Sequence, residues 1–178
     1  MRRTVAGGSG AGGSGAGGSG AFGFQAASGE DDETLLHRGK WRLLRFMHPA
    51  SDGWINSSVA AAPQTAAVLQ RIPALRDCAA DESCYELTAQ LSHLAAGSHI
   101  APHCGRGRLS LILPLIAPAG CCRMQVGASS PRTLIEGRVI VFDDSWEHQA
   151  WADAERMVLI VDVPRQVRHK AQQPGGEK

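Results

Sequence analysis

The sequence predicts a mostly β protein, folded as an antiparallel sandwich or barrel, and two observations carry this prediction. From Glu86 onward, Gly, Pro, Asp and Ser separate short apolar or alternating runs, and no helical pattern lies between them. Runs of this length and spacing are typical of strands. Many short strands without intervening helices favour an antiparallel sandwich or barrel. The predicted strands cover residues 86–94, 108–116, 121–127, 138–142, 147–151 and 156–163.

Two elements are predicted ahead of these strands. Residues 41–46 form a short strand candidate, and Asp52 and Gly53 then mark a turn. A short helix is predicted over 63–71, because proline is tolerated in the first helical turn. Pro73 is expected to end that helix.

Both ends of the chain are predicted to be tails around one domain. Residues 1–34 contain three glycine-rich repeats and then an acidic patch at 30–33, and such a segment has little apolar surface to bury. We therefore expect a flexible tail over 1–34, a folded domain over 35–165 and a second flexible tail over 166–178.

Composition excludes several classes of partner. The formal net charge is +1 and no long basic block is present, so we expect no nucleic-acid partner. No apolar run approaches 18 residues, and the N-terminus lacks the apolar region of a secretory signal. The five cysteines are odd in number and lack paired CxxC spacing. They favour a reducing compartment, either the cytoplasm or an organelle if the N-terminus is a targeting peptide. The oligomeric state stays open.

Two of the seven histidines are candidates for a metal site. His103 and His148 are 45 residues apart, and each lies beside a predicted strand. Imidazole is a good ligand for ferrous iron, and non-haem oxygenases usually add a carboxylate to two histidines. Spacing alone also allows two structural histidines. The other five are expected to be solvated, packed or hydrogen-bonded: His37, His48, His93, His99 and His169.

Three segments resemble the aspartyl/asparaginyl β-hydroxylase family. They are residues 98–105, residues 138–148 with the run Phe-Asp-Asp-Ser-Trp-Glu-His, and residues 156–163. Residues 39–41 and 63–73 also resemble that family, and the resemblance extends in order over 37–165. It implies a double-stranded β-helix, a jelly-roll and cupin-like fold, with a short N-terminal helical segment.

The resemblance also implies a reaction. Family members are dioxygenases that use Fe(II), O₂ and 2-oxoglutarate to hydroxylate a C–H bond. The implied substrate is the β-carbon of Asp or Asn in a protein or peptide, and a small molecule or a lipid is an alternative. A non-catalytic or degenerate cupin-like module that binds metal or 2-oxoglutarate is the competing hypothesis.

Individual residues can be assigned by the same resemblance. His103 and His148 match the family's iron ligands, and His103–Cys104–Gly105 follows its His-X-Gly pattern, which has no carboxylate. Arg156 matches the arginine that binds the remote carboxylate of 2-oxoglutarate, and Ser92 matches a serine that also contacts it. A guanidinium suits a carboxylate because it offers two parallel charge-assisted hydrogen bonds.

The chain departs from the family pattern after the first ligand. Ser110 and Ile112 occupy the positions of a common Arg-X-His pair that contacts 2-oxoglutarate. Arg108 lies on the same strand face, and we predict that it substitutes in binding 2-oxoglutarate. Near the second ligand, Asp143, Asp144 and Glu147 either orient the imidazoles or form a turn.

Overall fold

A computed structural model of the chain describes residues 24–26, 35–48, 53–79 and 87–164. Three short helices lie between the third and fourth strands: α1 Asn56–Ala61, α2 Pro63–Leu69 and α3 Pro73–Cys78. The strands are β1 Gln25–Ala26, β2 Leu36–Arg38, β3 Trp41–Met47, β4 Thr88–Leu94, β5 Ser98–His103, β6 Arg108–Ile116, β7 Cys122–Val126, β8 Arg132–Thr133, β9 Ile140–Asp143, β10 His148–Ala152 and β11 Arg156–Pro164.

The strands form two antiparallel sheets. The six-stranded sheet has the order β1-β3-β4-β11-β6-β9, and the five-stranded sheet has the order β2-β5-β10-β7-β8. From β4 onward the chain passes repeatedly from one sheet to the other. Two facing sheets connected in this way form a double-stranded β-helix. The predicted fold class is therefore confirmed.

Apolar side chains from both sheets meet in the interior. Ile112 and Val158 of the six-stranded sheet pack with Cys122 and Met124 of the five-stranded sheet. A second cluster joins Leu94 to alanines and Ile100 of the opposite sheet. Strand alternation sends every second residue inward. Truncating a buried aliphatic side chain in such clusters typically costs about 2–5 kcal/mol.

The helices cover the outer face of the six-stranded sheet. Leu69 of α2 and Leu75 of α3 belong to a buried cluster with Phe46 and Leu91. The helix predicted over 63–71 is confirmed as α2, whereas α1 and α3 were not predicted. Pro73 begins α3. N–H groups in the first helical turn have no acceptor within the helix, so the N–H that proline lacks is not needed there.

Four strands were not predicted from the sequence: β1, β2, β5 and β8. β5 was not predicted, because Gly97, Ser98 and Pro102 make its sequence resemble a turn; the strand pairs with both β2 and β10. Gln25 and Ala26 pair with β3, although they belong to the range 1–34 predicted as a tail. The described part of the sheet therefore begins ahead of the predicted boundary at residue 35. None of the described helices is long and apolar enough to cross a bilayer.

Candidate metal centre

His103 and His148 lie next to each other at one end of the interior. His103 is the last residue of β5 and His148 the first of β10, and the two are partners across the antiparallel pair. Their ring centroids are 4.1 Å apart with an interplanar angle of 54°. Both side chains are half-buried. The structure thus brings together the two predicted ligands, at what we call the metal end of the barrel.

Hydrogen bonds fix the same tautomer in both imidazoles. The Nδ1–H of His103 donates to the Ala101 carbonyl at 2.8 Å, and that of His148 donates to the Trp146 carbonyl at 2.9 Å. A carbonyl oxygen only accepts, so each Nε2 keeps a lone pair for a metal. Burial, assisted by the neighbouring His103, lowers the pKa of His148. The neutral form that a metal requires is therefore favoured.

The donor set consists of these two imidazoles. Among the described residues, no group of three or more His, Cys, Asp or Glu side chains is arranged to hold a metal. Two imidazole nitrogens suit ferrous iron, and they leave coordination positions for a chelating small molecule. The arrangement agrees with the His-X-Gly pattern of His103–Cys104–Gly105.

The acidic residues before His148 build a turn. Asp143 Oδ1 accepts hydrogen bonds from the Ser145 amide at 3.0 Å and the Ser145 hydroxyl at 2.7 Å. Asp144 Oδ1 accepts from the amides of Gly107 at 2.8 Å and Arg108 at 2.6 Å. Backbone carbonyls, and not these carboxylates, accept the Nδ1–H bonds that fix the imidazole tautomers, and the hydrogen bonds of Asp143 support the turn interpretation.

Arg156 lies in the interior with its charge unbalanced. Its side chain is 3% exposed, and no carboxylate of the described residues forms an ion pair with it. Nη2 donates to Ser92 Oγ at 3.3 Å, whereas the buried Nε has no acceptor. Burial lowers the pKa of Arg156 to about 10. An isolated buried cation is costly, so the surroundings of Arg156 favour an anion as its partner.

Ser92 adds another donor to this pocket. Its side chain is fully buried, and its Oγ accepts hydrogen bonds from the Trp41 indole at 2.9 Å and from Arg156. These two bonds use both lone pairs, so the hydroxyl hydrogen is directed elsewhere. It has no acceptor among the described residues, and a carboxylate bound beside Arg156 would provide one. The sequence reasoning found Ser92 and Arg156 but missed this contact of Trp41.

Arg108 differs from Arg156 in its surroundings. Its Nε lies 3.4 Å from Asp144 Oδ2, and its Nη2 lies 3.7 Å from Asp162 Oδ2. Asp162 is buried and also accepts hydrogen bonds from the hydroxyls of Thr88 and Ser110, each at 2.7 Å. The charge of Arg108 is therefore balanced within the protein, and its predicted contact with 2-oxoglutarate stays a prediction. Asp162 was not recognised from the sequence as a partner of Arg108.

The histidine pair and Arg156 lie at opposite ends of the segment formed by β10 and its connection to β11. β10 runs from His148 to Ala152, a distance of about 13 Å at ~3.3 Å per residue. β11 then returns from Arg156, whose partner across the sheet is Leu94, a fully buried residue. We call the end of the barrel that contains Arg156 and Leu94 the closed end. A molecule that contacts both ends must extend along the barrel interior.

Two other histidines lie outside this interior. His93 Nε2 is 2.6 Å from Glu155 Oε1. His99 stacks on Trp151 with a centroid distance of 5.1 Å and hydrogen-bonds Gln149 at 3.1 Å. Both are packed or hydrogen-bonded, as expected. His99 lies on the same strand, β5, as His103 but outside the interior, so a substitution at His99 is a matched control for substitutions of the two candidate metal ligands.

Comparison with known proteins is informative over most of the chain. A family model described as "Aspartyl/Asparaginyl beta-hydroxylase" matches residues 21–166. The aspartyl/asparaginyl beta-hydroxylases of Mus musculus and Homo sapiens are each 31% identical over 137 residues, which is 75% of this chain. The chain spans only 17% of the length of those relatives.

One further sequence relative and one solved structure are also similar to the chain. An ornithine lipid ester-linked acyl 2-hydroxylase of Rhizobium tropici is 32% identical over 119 residues, covering 64% of this chain and 38% of that protein. Among solved structures, a cupin-like protein from Thermotoga maritima is similar with a TM-score of 0.46 and 11% identity. That similarity covers 78% of this chain and 76% of the other.

Proposed function

Because the chain belongs to the aspartyl/asparaginyl β-hydroxylase family, we propose that it is an Fe(II)- and 2-oxoglutarate-dependent dioxygenase that hydroxylates a C–H bond. The observation that carries this proposal is the buried guanidinium of Arg156, which has no carboxylate among the described residues. 2-Oxoglutarate supplies a carboxylate for that pocket and a chelating keto acid for a metal.

The metal would be held by the Nε2 atoms of His103 and His148. Ferrous iron at this position, with O₂ and 2-oxoglutarate, would supply the oxidant that hydroxylates a C–H bond and leaves succinate and CO₂. The fit depends on donor chemistry: both imidazoles present a lone pair because their Nδ1–H groups are bound to carbonyls. Neutral imidazole is a good ligand for this metal.

The other residues orient the co-substrate and exclude water. Arg156 and Ser92 would donate to its remote carboxylate at the closed end, where Leu94 and Ala152 are fully buried. Charge-assisted hydrogen bonds are stronger where water is excluded. We retain the predicted contact between Arg108 and 2-oxoglutarate as a weaker part of the proposal, because two carboxylates already balance this arginine.

The first candidate substrate is the β-carbon of an Asp or Asn residue in a protein or peptide. The names of the Mus musculus and Homo sapiens relatives support it. A lipid acyl chain is the second candidate, supported by the name of the Rhizobium tropici relative.

Succinate formation tests the reaction. The wild type should convert 2-oxoglutarate to succinate when Fe(II) and O₂ are present, even slowly without substrate. His148→Ala should abolish succinate formation, because it removes one of two metal ligands. His99→Ala is the control, since it removes an imidazole from the outer face of the same sheet. Binding of Fe(II) and 2-oxoglutarate without succinate would instead establish the non-catalytic module.

Mass spectrometry distinguishes the two substrate classes. Peptides containing Asp or Asn and vesicles containing ornithine lipid would be incubated separately with the enzyme, Fe(II) and 2-oxoglutarate. The proposal expects a gain of one oxygen atom in the peptide at an Asp or Asn residue. A gain of oxygen in the acyl chain alone would select the second candidate.

A further inference from the structure

Asp144 connects the two loops that carry the histidines. The Gly105 amide donates to the Asp144 carbonyl at 2.6 Å, and the Asp144 amide donates to the Arg108 carbonyl at 2.9 Å. The Asp144 carboxylate accepts two more amides of the same loop, from Gly107 and Arg108. Asp144, four positions before His148, is therefore hydrogen-bonded to three of the five residues that follow His103.

Asp144 is buried at this junction. Its side chain is 6% exposed, and its second carboxylate oxygen faces the guanidinium of Arg108 at 3.4 Å. A buried carboxylate needs such partners to offset the loss of hydration. Both oxygens are thus directed at the loop after His103, so this side chain reinforces the backbone hydrogen bonds that join the two ligand loops.

Gly105 lies against the same carboxylate. A Cβ atom at residue 105 would collide with the Oδ2 and Cγ atoms of Asp144 and would lie 2.9 Å from its Cβ. Gly105 is not among the glycines with positive φ, so its backbone conformation is open to other residues. The reason for glycine at this position is therefore the space that Asp144 occupies.

We propose that Asp144 is a positioning residue that sets the separation of His103 and His148, and that its carboxylate excludes any side chain at residue 105. This inference rests on the proposed metal role of the two histidines. It explains why a carboxylate ligand two residues after His103 is incompatible with this loop: another carboxylate already fills that space. Partners that orient metal ligands typically change metal affinity by about 10–100-fold when they are removed.

Mn(II) binding measured by calorimetry or electron paramagnetic resonance tests the positioning role, because Mn(II) is stable in air. Asp144→Ala should weaken Mn(II) binding by about 10–100-fold, since it removes the carboxylate bonds to the loop after His103 and leaves only backbone bonds between the two loops. Asp144→Asn keeps an oxygen acceptor for the two amides and should retain most of the affinity. If Asp144→Ala does not fold, Asp144→Ser replaces it as the shortened side chain.

A double-mutant cycle in the metal-free protein tests the steric role. Gly105→Ala should lower the unfolding temperature in the wild type, and it should have a much smaller further effect in the Asp144→Ala background, where Oδ2 and Cγ are gone and only the Cβ at 2.9 Å remains. Two sites that share one collision give strongly non-additive effects. Ala128, which is in an exposed turn, supplies a control through Ala128→Ser, expected to change nothing in either background.

The outcomes separate this inference from the proposed function. Failure of the wild type to bind Mn(II) at all would contradict the metal role of the histidines. Normal binding by the wild type and equal binding by Asp144→Ala would overturn the positioning role alone. Additive effects of Gly105→Ala and Asp144→Ala on the unfolding temperature would overturn the steric explanation.

Discussion

Two arginines of the barrel, Arg108 and Arg156, have opposite surroundings. Arg108 lies at the metal end between Asp144 and Asp162, at 3.4 Å and 3.7 Å. Arg156 lies at the closed end, where it donates to Ser92 and pairs with no carboxylate of the described residues. The protein balances the first charge itself and leaves the second unbalanced.

This difference separates a structural charge from a binding charge. Burying a guanidinium without an anion costs folding free energy, and burial lowers the pKa of Arg156 to about 10 as a result. A protein retains such a cost at sites where a ligand removes it. In the proposed function, Arg156 is the residue that binds an anion, whereas Arg108 is held between two carboxylates of the protein itself.

Replacing Arg108 should give the largest loss of stability. Arg108→Met leaves the buried carboxylates of Asp144 and Asp162 without their cation, and removing one partner of a buried pair costs about 3–5 kcal/mol. We expect about 2–4 kcal/mol, because the Arg108 side chain is 17% exposed. Urea unfolding measures the loss. Arg138→Met, at an exposed arginine, is the matched control, and equal losses in both variants would contradict the structural role of Arg108.

Replacing Arg156 should have the opposite effect on stability. Arg156→Met removes an unpaired buried charge, so the ligand-free protein should gain about 1–3 kcal/mol of unfolding free energy. The same variant should bind 2-oxoglutarate about 10–100-fold more weakly, because one charge-assisted contact is worth about 1.5–3 kcal/mol. Urea unfolding and calorimetry measure the two effects. A destabilised variant with unchanged 2-oxoglutarate affinity would place Arg156 in the same class as Arg108.

The pH dependence follows from the sign of the Arg156 shift. Its folded-state pKa, about 10, lies below its ordinary value, so the charged form is disfavoured by folding. The cost to stability is full below pH 10 and declines as the pH rises from there toward the ordinary value. The contribution of Arg156 to 2-oxoglutarate affinity should thus be constant between pH 7 and about pH 9 and should fall at higher pH, where the guanidinium loses its charge. An affinity that rises above pH 10 would contradict a charged Arg156 in the complex.

Sequence patterns predicted the fold and the individual site residues with unequal success. Alternation and turn residues predicted most strands, because a two-sided sheet requires that pattern. β5 escaped because Gly97 and Pro102 give it the composition of a turn, and its pairing comes from long-range contacts. The Phe-Asp-Asp-Ser-Trp-Glu-His run identified His148 by resemblance. The partners of Arg108 were not predictable, because Asp162 is 54 residues away and meets it only through the pairing of β6 with β11.

The smallest and sharpest test compares the serines that accompany the two arginines. Ser92 has a hydroxyl hydrogen with no acceptor among the described residues, whereas the Ser110 hydroxyl donates to Asp162 at 2.7 Å. A hydroxyl that donates to a carboxylate contributes about 1.5 kcal/mol, the low end of the range for bonds to charged groups. Ser92→Ala should therefore weaken 2-oxoglutarate binding about ten-fold, and Ser110→Ala should lower stability by about 1.5 kcal/mol with 2-oxoglutarate affinity unchanged. Calorimetry and urea unfolding on both variants measure the difference. The reverse result would mean that the anion binds beside Arg108, at the metal end, and that the closed end is purely structural.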